Sequence, residues 1–149
     1  MAEISIELHW KLEDKVLEPG KYSNKHEIKL NSDITIIGDA APDWNGNSKY
    51  NNPEQTLAAS LSSCHMMTFL ALAAKMSWPV QSYSDKAVAT LGKNSQGKMS
   101  VINIELNPKV EFSEDFTIGK KEIKEVQERA HRYCFIANSL SKEVQVKIN

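Results

Sequence analysis

Residues 52–76 read NPEQTLAASLSSCHMMTFLALAAKM, and no charged side chain occurs between Gln55 and Ala74. Asn52 is placed to cap a helix, Pro53 suits its first position, and Glu54 complements the positive end of its dipole. The spacing predicts a helix from there to about Met76. Leu57, Ala58, Leu61, Met66, Phe69, Leu70 and Ala73 are spread around all its sides. Such a helix is expected to be buried nearly all round, with other elements wrapped about it. Its length approaches a bilayer span, but Ser60, Ser62, Ser63, His65 and Thr68 interrupt it, which favours a protein core over a membrane.

Outward from this helix, the N-terminal side is β. Glu3 to Trp10 alternates strictly, with Ile4, Ile6, Leu8 and Trp10 on one face, and so predicts a half-buried strand. Tyr22–Leu30 follows the Glu18-Pro19-Gly20 turn, and Ile34–Ile37 follows Asn31-Ser32-Asp33, completing a three-strand meander. Segment 39–52 is rich in Asn and Gly yet carries Trp44 and Tyr50, which predicts a packing or functional loop. On the C-terminal side, Val80–Leu91 and Lys98–Phe112 read as a long hairpin across Lys93–Gly97. A second helix, with Thr117 placed to cap it, carries Ile123, Val126, Ala130, Tyr133, Cys134 and Ala137 on one stripe. Val144, Val146 and Ile148 form a closing strand. The order βββ-α-ββ-α-β groups its strands and therefore predicts the α+β class.

Composition bounds the partners. The chain has 149 residues, and its 18 Lys and Arg against 19 Asp and Glu leave a formal net charge of -1. One domain of ordinary globular composition is expected, with no basic field to collect nucleic acid. Met1 to Trp10 has neither a basic segment nor the apolar core of a secretory signal, so the expected location is cytoplasmic. Thiols there stay reduced, and a permanent bond between the two cysteines, Cys64 and Cys134, is not the default.

Both cysteines lie on apolar helix faces, and three readings of them stay open. They are core residues acting as small hydrophobes, a redox pair, or part of a metal site with His65 and His131. The metal reading is the weakest, because adjacent Cys64 and His65 point about 100° apart on a helix. Ser62, Ser63 and His65 beside Cys64 either line a solvated pocket or bond back to the helix as satisfied core groups.

The stretch from Asn52 to Leu70, together with Ala130-His131-Arg132-Tyr133-Cys134-Phe135-Ile136-Ala137-Asn138-Ser139, resembles the OsmC/Ohr family of thiol-dependent organic hydroperoxide reductases, in its OsmC-like branch. The resemblance runs over the whole chain in element order and implies a single OsmC-like domain over residues 1–149. It implies an intertwined homodimer whose sheets wrap the central helices, and the reduction of small organic hydroperoxides to alcohols. By position it makes Cys64 the peroxidatic cysteine, Cys134 the resolving cysteine and Glu54 the active-site carboxylate. It implies no cofactor and no metal, and a dithiol reductant such as a lipoyl group.

One position departs from the pattern. The family usually places an arginine on the second strand, in a pattern like Tyr-Ser-Arg-x-His; here the segment is Tyr22-Ser23-Asn24-Lys25-His26. Arg129, Arg132 and His26 are the candidates to supply the missing positive charge. The alternative function is a non-enzymatic protein that binds a small ligand or senses oxidation. Glu54 and Cys64 are ten residues apart on one helix, about 15 Å along its axis, so a shared site calls for the Glu54 of a second, antiparallel copy.

Overall fold

Side chains that hold backbone set the frame of the first 56 residues. In the computed structural model, which describes residues 1–149, Met1–Thr56 and Leu57–Asn149 form two compact units. The first unit is the predicted meander with shorter strands: β1 (Glu7–His9), β2 (His26–Lys29) and β3 (Thr35–Gly38), antiparallel, with Leu8 opposite Ile28 and Ile28 opposite Ile36. The alternation of residues 3–10 is real, but β2 offers partners only to Glu7–His9, and Ile4 and Ile6 stay exposed. The turn between β2 and β3 is closed by Asn31, whose Oδ1 accepts the Asp33 and Ile34 amides, each at 2.9 Å. Segment 39–52 contains a 3-10 turn at Pro42–Trp44, and Gly38 bridges Asn51 in parallel.

The helix start expected at Asn52 is a reciprocal capping box. Asn52 Oδ1 accepts the Gln55 amide at 2.9 Å, and Gln55 Oε1 accepts the Asn52 amide at 3.1 Å. Helix α1 runs Pro53–Lys75. In the second unit, however, only one row of it is buried: Leu61, His65, Phe69 and Ala73, a continuation of Ala58. Ala59, Ser63, Met67 and Ala71 are exposed. The expectation of cover on every side is thus not met within one chain. An all-round apolar sequence carries no polar face to mark which side a single sheet will take. By length and hydropathy α1 could cross a membrane, but its buried row is part of two protein cores.

Each predicted strand of the long hairpin is two strands. Val80–Ser84 (β4) and Val88–Lys93 (β5) are separated at Asp85, and Met99–Leu106 (β6) and Lys109–Phe112 (β7) at Asn107-Pro108. Pro108 has no N–H to give a ladder, and Asp85 Oδ1 takes the Asn107 amide at 2.6 Å. The result is a β4–β7 pair and a β5–β6–β8 sheet, in which β8 (Gln145–Ile148) lies parallel to β6 with Ile104 opposite Val146. Helix α2 spans Lys120–Tyr133 and is capped at Gly119 rather than Thr117, without a side-chain bond. It stops at Cys134, and a short helix, α3, follows at Phe135–Ser139.

Two apolar clusters hold the second unit. Leu61, Ile104, Leu106 and Cys134 form one, with Cys64, Ile136 and Val146 against it. Phe69, Ala73, Val126 and Ala130 form the other, where the Phe69 and Tyr83 rings lie 5.6 Å apart between centroids. Fully burying a side chain such as Leu61 or Phe69 contributes about 1.5–3 kcal/mol each. This burial offsets the ordering of a helix that shows little preference of its own for one face.

Candidate functional site

Cys64 sits midway along α1, half-buried, and Cys134 sits at the break between α2 and α3 with no exposed surface. The backbone at Cys134 is extended, with φ -71° and ψ 118°. That conformation ends α2, and Cys64 packs against the apolar cluster that contains Cys134, close enough for the two thiols to shift each other's ionisation. Cys134 Sγ also accepts the Ala137 amide at 3.4 Å. Both sulfurs are free thiols.

The pair is electrically unequal. Burial works to raise the pKa of Cys64, but the Cys134 thiol, the Ile136 and Phe135 backbone and the Thr68 hydroxyl all favour its anion and together bring it below the usual range. Burial, and service as donor to Cys64, push Cys134 up to about 11. Of the two, Cys64 is therefore the first to lose its proton. Thr68 Oγ1 gives its one hydrogen to the Cys64 carbonyl at 2.8 Å, and it can donate to the sulfur only by turning away from that bond.

The polar neighbours of Cys64 divide between the readings that the sequence left open. His65 is fully buried, and its Nε2–H donates to Gln127 Oε1 at 2.6 Å. It is a neutral core histidine: burial holds its pKa below the usual value, and its Nδ1 has no partner. Ser62 does not bond back to its helix; its hydroxyl donates to Asp85 Oδ2 at 2.5 Å. Ser63 faces outward. No three His, Cys, Asp or Glu side chains gather at metal-binding spacing.

The other expected residues have settings of their own. Glu54 lies at the start of α1, ten residues or about 15 Å of helix before Cys64, and one of its carboxylate oxygens, Oε2, is buried without a partner. Arg129 and Arg132 are exposed on α2. His26 Nδ1 donates to the Asn24 carbonyl at 2.7 Å.

Sequence reasoning overlooked Gln127, Asp85 and Thr68 as members of this environment. Gln127 had a signal: it stands four residues before His131 and seven before Cys134, a polar residue on the buried stripe. Thr68, one turn after Cys64, had the same kind of signal. Asp85 had none, because its role depends on where the hairpin breaks.

Comparison with known proteins completes the description of the site. Residues 46–149 match the family described as OsmC-like protein. A solved structure of an OsmC-like protein of unknown function from Vibrio cholerae is 35% identical, covers 100% of both chains and superposes with a TM-score of 0.86. An organic hydroperoxide resistance protein from Elizabethkingia anophelis shares the fold at 17% identity, with 99% of this chain and 94% of that one covered and a TM-score of 0.77. The organic hydroperoxide resistance protein OhrB of Bacillus subtilis does so at 16% identity, with 99% and 97% covered and a TM-score of 0.70. No curated protein matches the chain.

Proposed function

From the premise that this chain belongs to the OsmC-like protein family, we propose that it is a thiol peroxidase that reduces small organic hydroperoxides to alcohols. The observation that carries this reading is that half-buried Cys64 packs, as a free thiol, against the apolar cluster that contains the fully buried free thiol of Cys134.

The chemistry follows from that pairing. Cys64 thiolate attacks the distal oxygen of ROOH; the O–O bond breaks, the alkoxide leaves and takes a proton as ROH, and Cys64 becomes a sulfenic acid. The Cys134 sulfur then displaces the hydroxyl of the sulfenic acid, its proton leaves with that hydroxyl as water, and a Cys64–Cys134 disulfide forms. An external dithiol, for which a lipoyl-type group is the proposed class, returns both cysteines to thiols and becomes a disulfide itself. Asn24 provides no cation to favour the thiolate. Cys64 instead has the Cys134 thiol and the Phe135 and Ile136 backbone.

The same reading includes a homodimer in a reducing, cytoplasmic compartment. The uncharged exposed row of α1, Ala59, Ser63, Met67 and Ala71, is a surface that a second copy can cover. An antiparallel partner would bring its own Glu54 toward Cys64. The departure at Asn24 favours a second reading, a redox sensor or small-ligand protein without turnover.

Intact mass after one equivalent of an alkyl hydroperoxide tests the proposal. The parent should lose two hydrogens, and Cys134→Ser should accumulate a sulfenic or over-oxidised Cys64. Repeated turnover with dihydrolipoate establishes the enzyme, a single oxidation without turnover leaves the sensor, and an unmodified protein under excess peroxide refutes both thiol readings.

A further inference from the structure

Helix α2 and strand β8 border a cavity of about 370 Å³, and neither cysteine lines it. That volume lies at the small end of small-molecule sites. We propose that it binds a monocarboxylate with a short apolar tail, a ligand separate from the hydroperoxide of the thiol pair.

Helical spacing puts the polar wall on one face of α2. Lys124, Glu128 and Arg132 follow one another at every fourth residue, with Gln127 and His131 beside them. The three charged side chains are exposed, and none is held in an ion pair. Two cations against one carboxylate leave this wall with one net positive charge, the complement of a single carboxylate. Arg132 offers the planar fork that a carboxylate fits. Of the two ring nitrogens of His131, Nδ1 is buried without a partner, which leaves Nε2 to meet a ligand. Gln127 is held from behind, because His65 Nε2–H donates to its Oε1 at 2.6 Å. The back of the cavity is therefore shaped in advance, and little binding energy goes into ordering it.

The opposite wall is apolar. Val146 and Ile148 alternate along β8 onto the cavity side and are half-buried, while Gln145 and Lys147 point the other way. Apolar surface facing a positive rim suits an anion with a tail, whose head meets Arg132, His131 or Lys124 and whose tail covers Val146 and Ile148. A phosphate would leave the apolar wall uncovered, and an uncharged molecule would gain nothing from the charge. The cavity also stands clear of the surface offered to a second copy. His65, which bonds Gln127, lies about 200° around α1 from both Ser63 and Met67, so α2 packs on the side of α1 away from its exposed row.

The test follows the His131 ring resonances of the labelled full-length protein during titration with hexanoate, acetate, hexanamide and inorganic phosphate, at fixed pH and ionic strength. His9, which lies in the first unit, serves as the internal control. A saturating shift at His131 with a dissociation constant of about 1 mM is expected for hexanoate. Acetate, which lacks the tail, and hexanamide, which lacks the charge, should each bind about tenfold more weakly or worse. Lys124→Gln combined with Arg132→Gln, a change confined to exposed side chains, should weaken hexanoate about tenfold, with an unchanged urea midpoint as the check of folding. Linear shifts with hexanoate, binding of acetate, hexanamide or phosphate as tight as that of hexanoate, or unchanged affinity in the double variant would each overturn the proposal.

Discussion

Replacing Gln127 by leucine isolates the polar contact buried behind the thiols. Gln127 is 4% exposed and its Oε1 is the acceptor for His65 Nε2–H at 2.6 Å, while His65 Nδ1 has no partner at all. Leucine nearly conserves the volume, so the main loss is the partner of a buried donor, a cost of about 1–3 kcal/mol. For a chain of this length that lowers Tm by roughly 2–4 °C per kcal/mol. His65→Leu alone strands the Gln127 amide and should cost a similar amount. The double variant removes both polar partners and should recover most of the loss, giving a coupling of about 2 kcal/mol in a double-mutant cycle. Urea unfolding at a single protein concentration is the assay. Additive costs in the cycle would refute the claim that these two side chains stabilise each other.

The same pair has a pH signature. Burial lowers the His65 pKa in the folded chain, so between that value and the unfolded value of about 6.5 the unfolded chain binds the extra proton. The stability contribution of neutral His65 is therefore fully present above about pH 6.5 and declines as pH falls below it. His65→Leu should remove that part of the slope. An unchanged slope would mean that other groups produce it.

Two further outcomes are expected. Cys134→Ala should slow alkylation of Cys64 near neutral pH by removing a donor to its thiolate, whereas Cys134→Ser, which keeps an O–H, should slow it less; equal rates in parent and Cys134→Ala would contradict the pairing. Mixing inactive Cys64→Ser chains with inactive Glu54→Gln chains should restore part of the peroxidase activity if each site joins Glu54 and Cys64 from different copies, and no recovery at any ratio would place each site within one chain.

The start of α1 was legible because Asn52, Pro53 and Gln55 act within one turn, and local chemistry of that kind depends little on the rest of the chain. The convergence of Cys64 and Cys134 was legible only through the family resemblance. Helical spacing turned both inward, but no pattern states which inward-facing groups meet across 70 positions of sequence. The hairpin was read as two long strands because Val80–Leu91 and Lys98–Phe112 are both rich in strand formers. The signal against that was Pro108, and the Asp85 bond to Asn107 is a tertiary event. The buried face of α1 was illegible for the opposite reason, an excess of apolar residues on every side.

The extended backbone at Cys134 has a mechanical consequence. A residue inside a helix can reposition its side chain only within the rotamers that its neighbours leave open, and moving its backbone breaks hydrogen bonds on both sides. Cys134 stands at the joint where α2 ends and α3 begins. Its own N–H is held by the His131 carbonyl at 3.3 Å and its carbonyl takes the Asn138 amide at 3.0 Å, so a disulfide, whose sulfurs stand roughly 2.05 Å apart, would draw on both helix ends together with the sulfur. The joint ties the state of one sulfur to the ends of two helices.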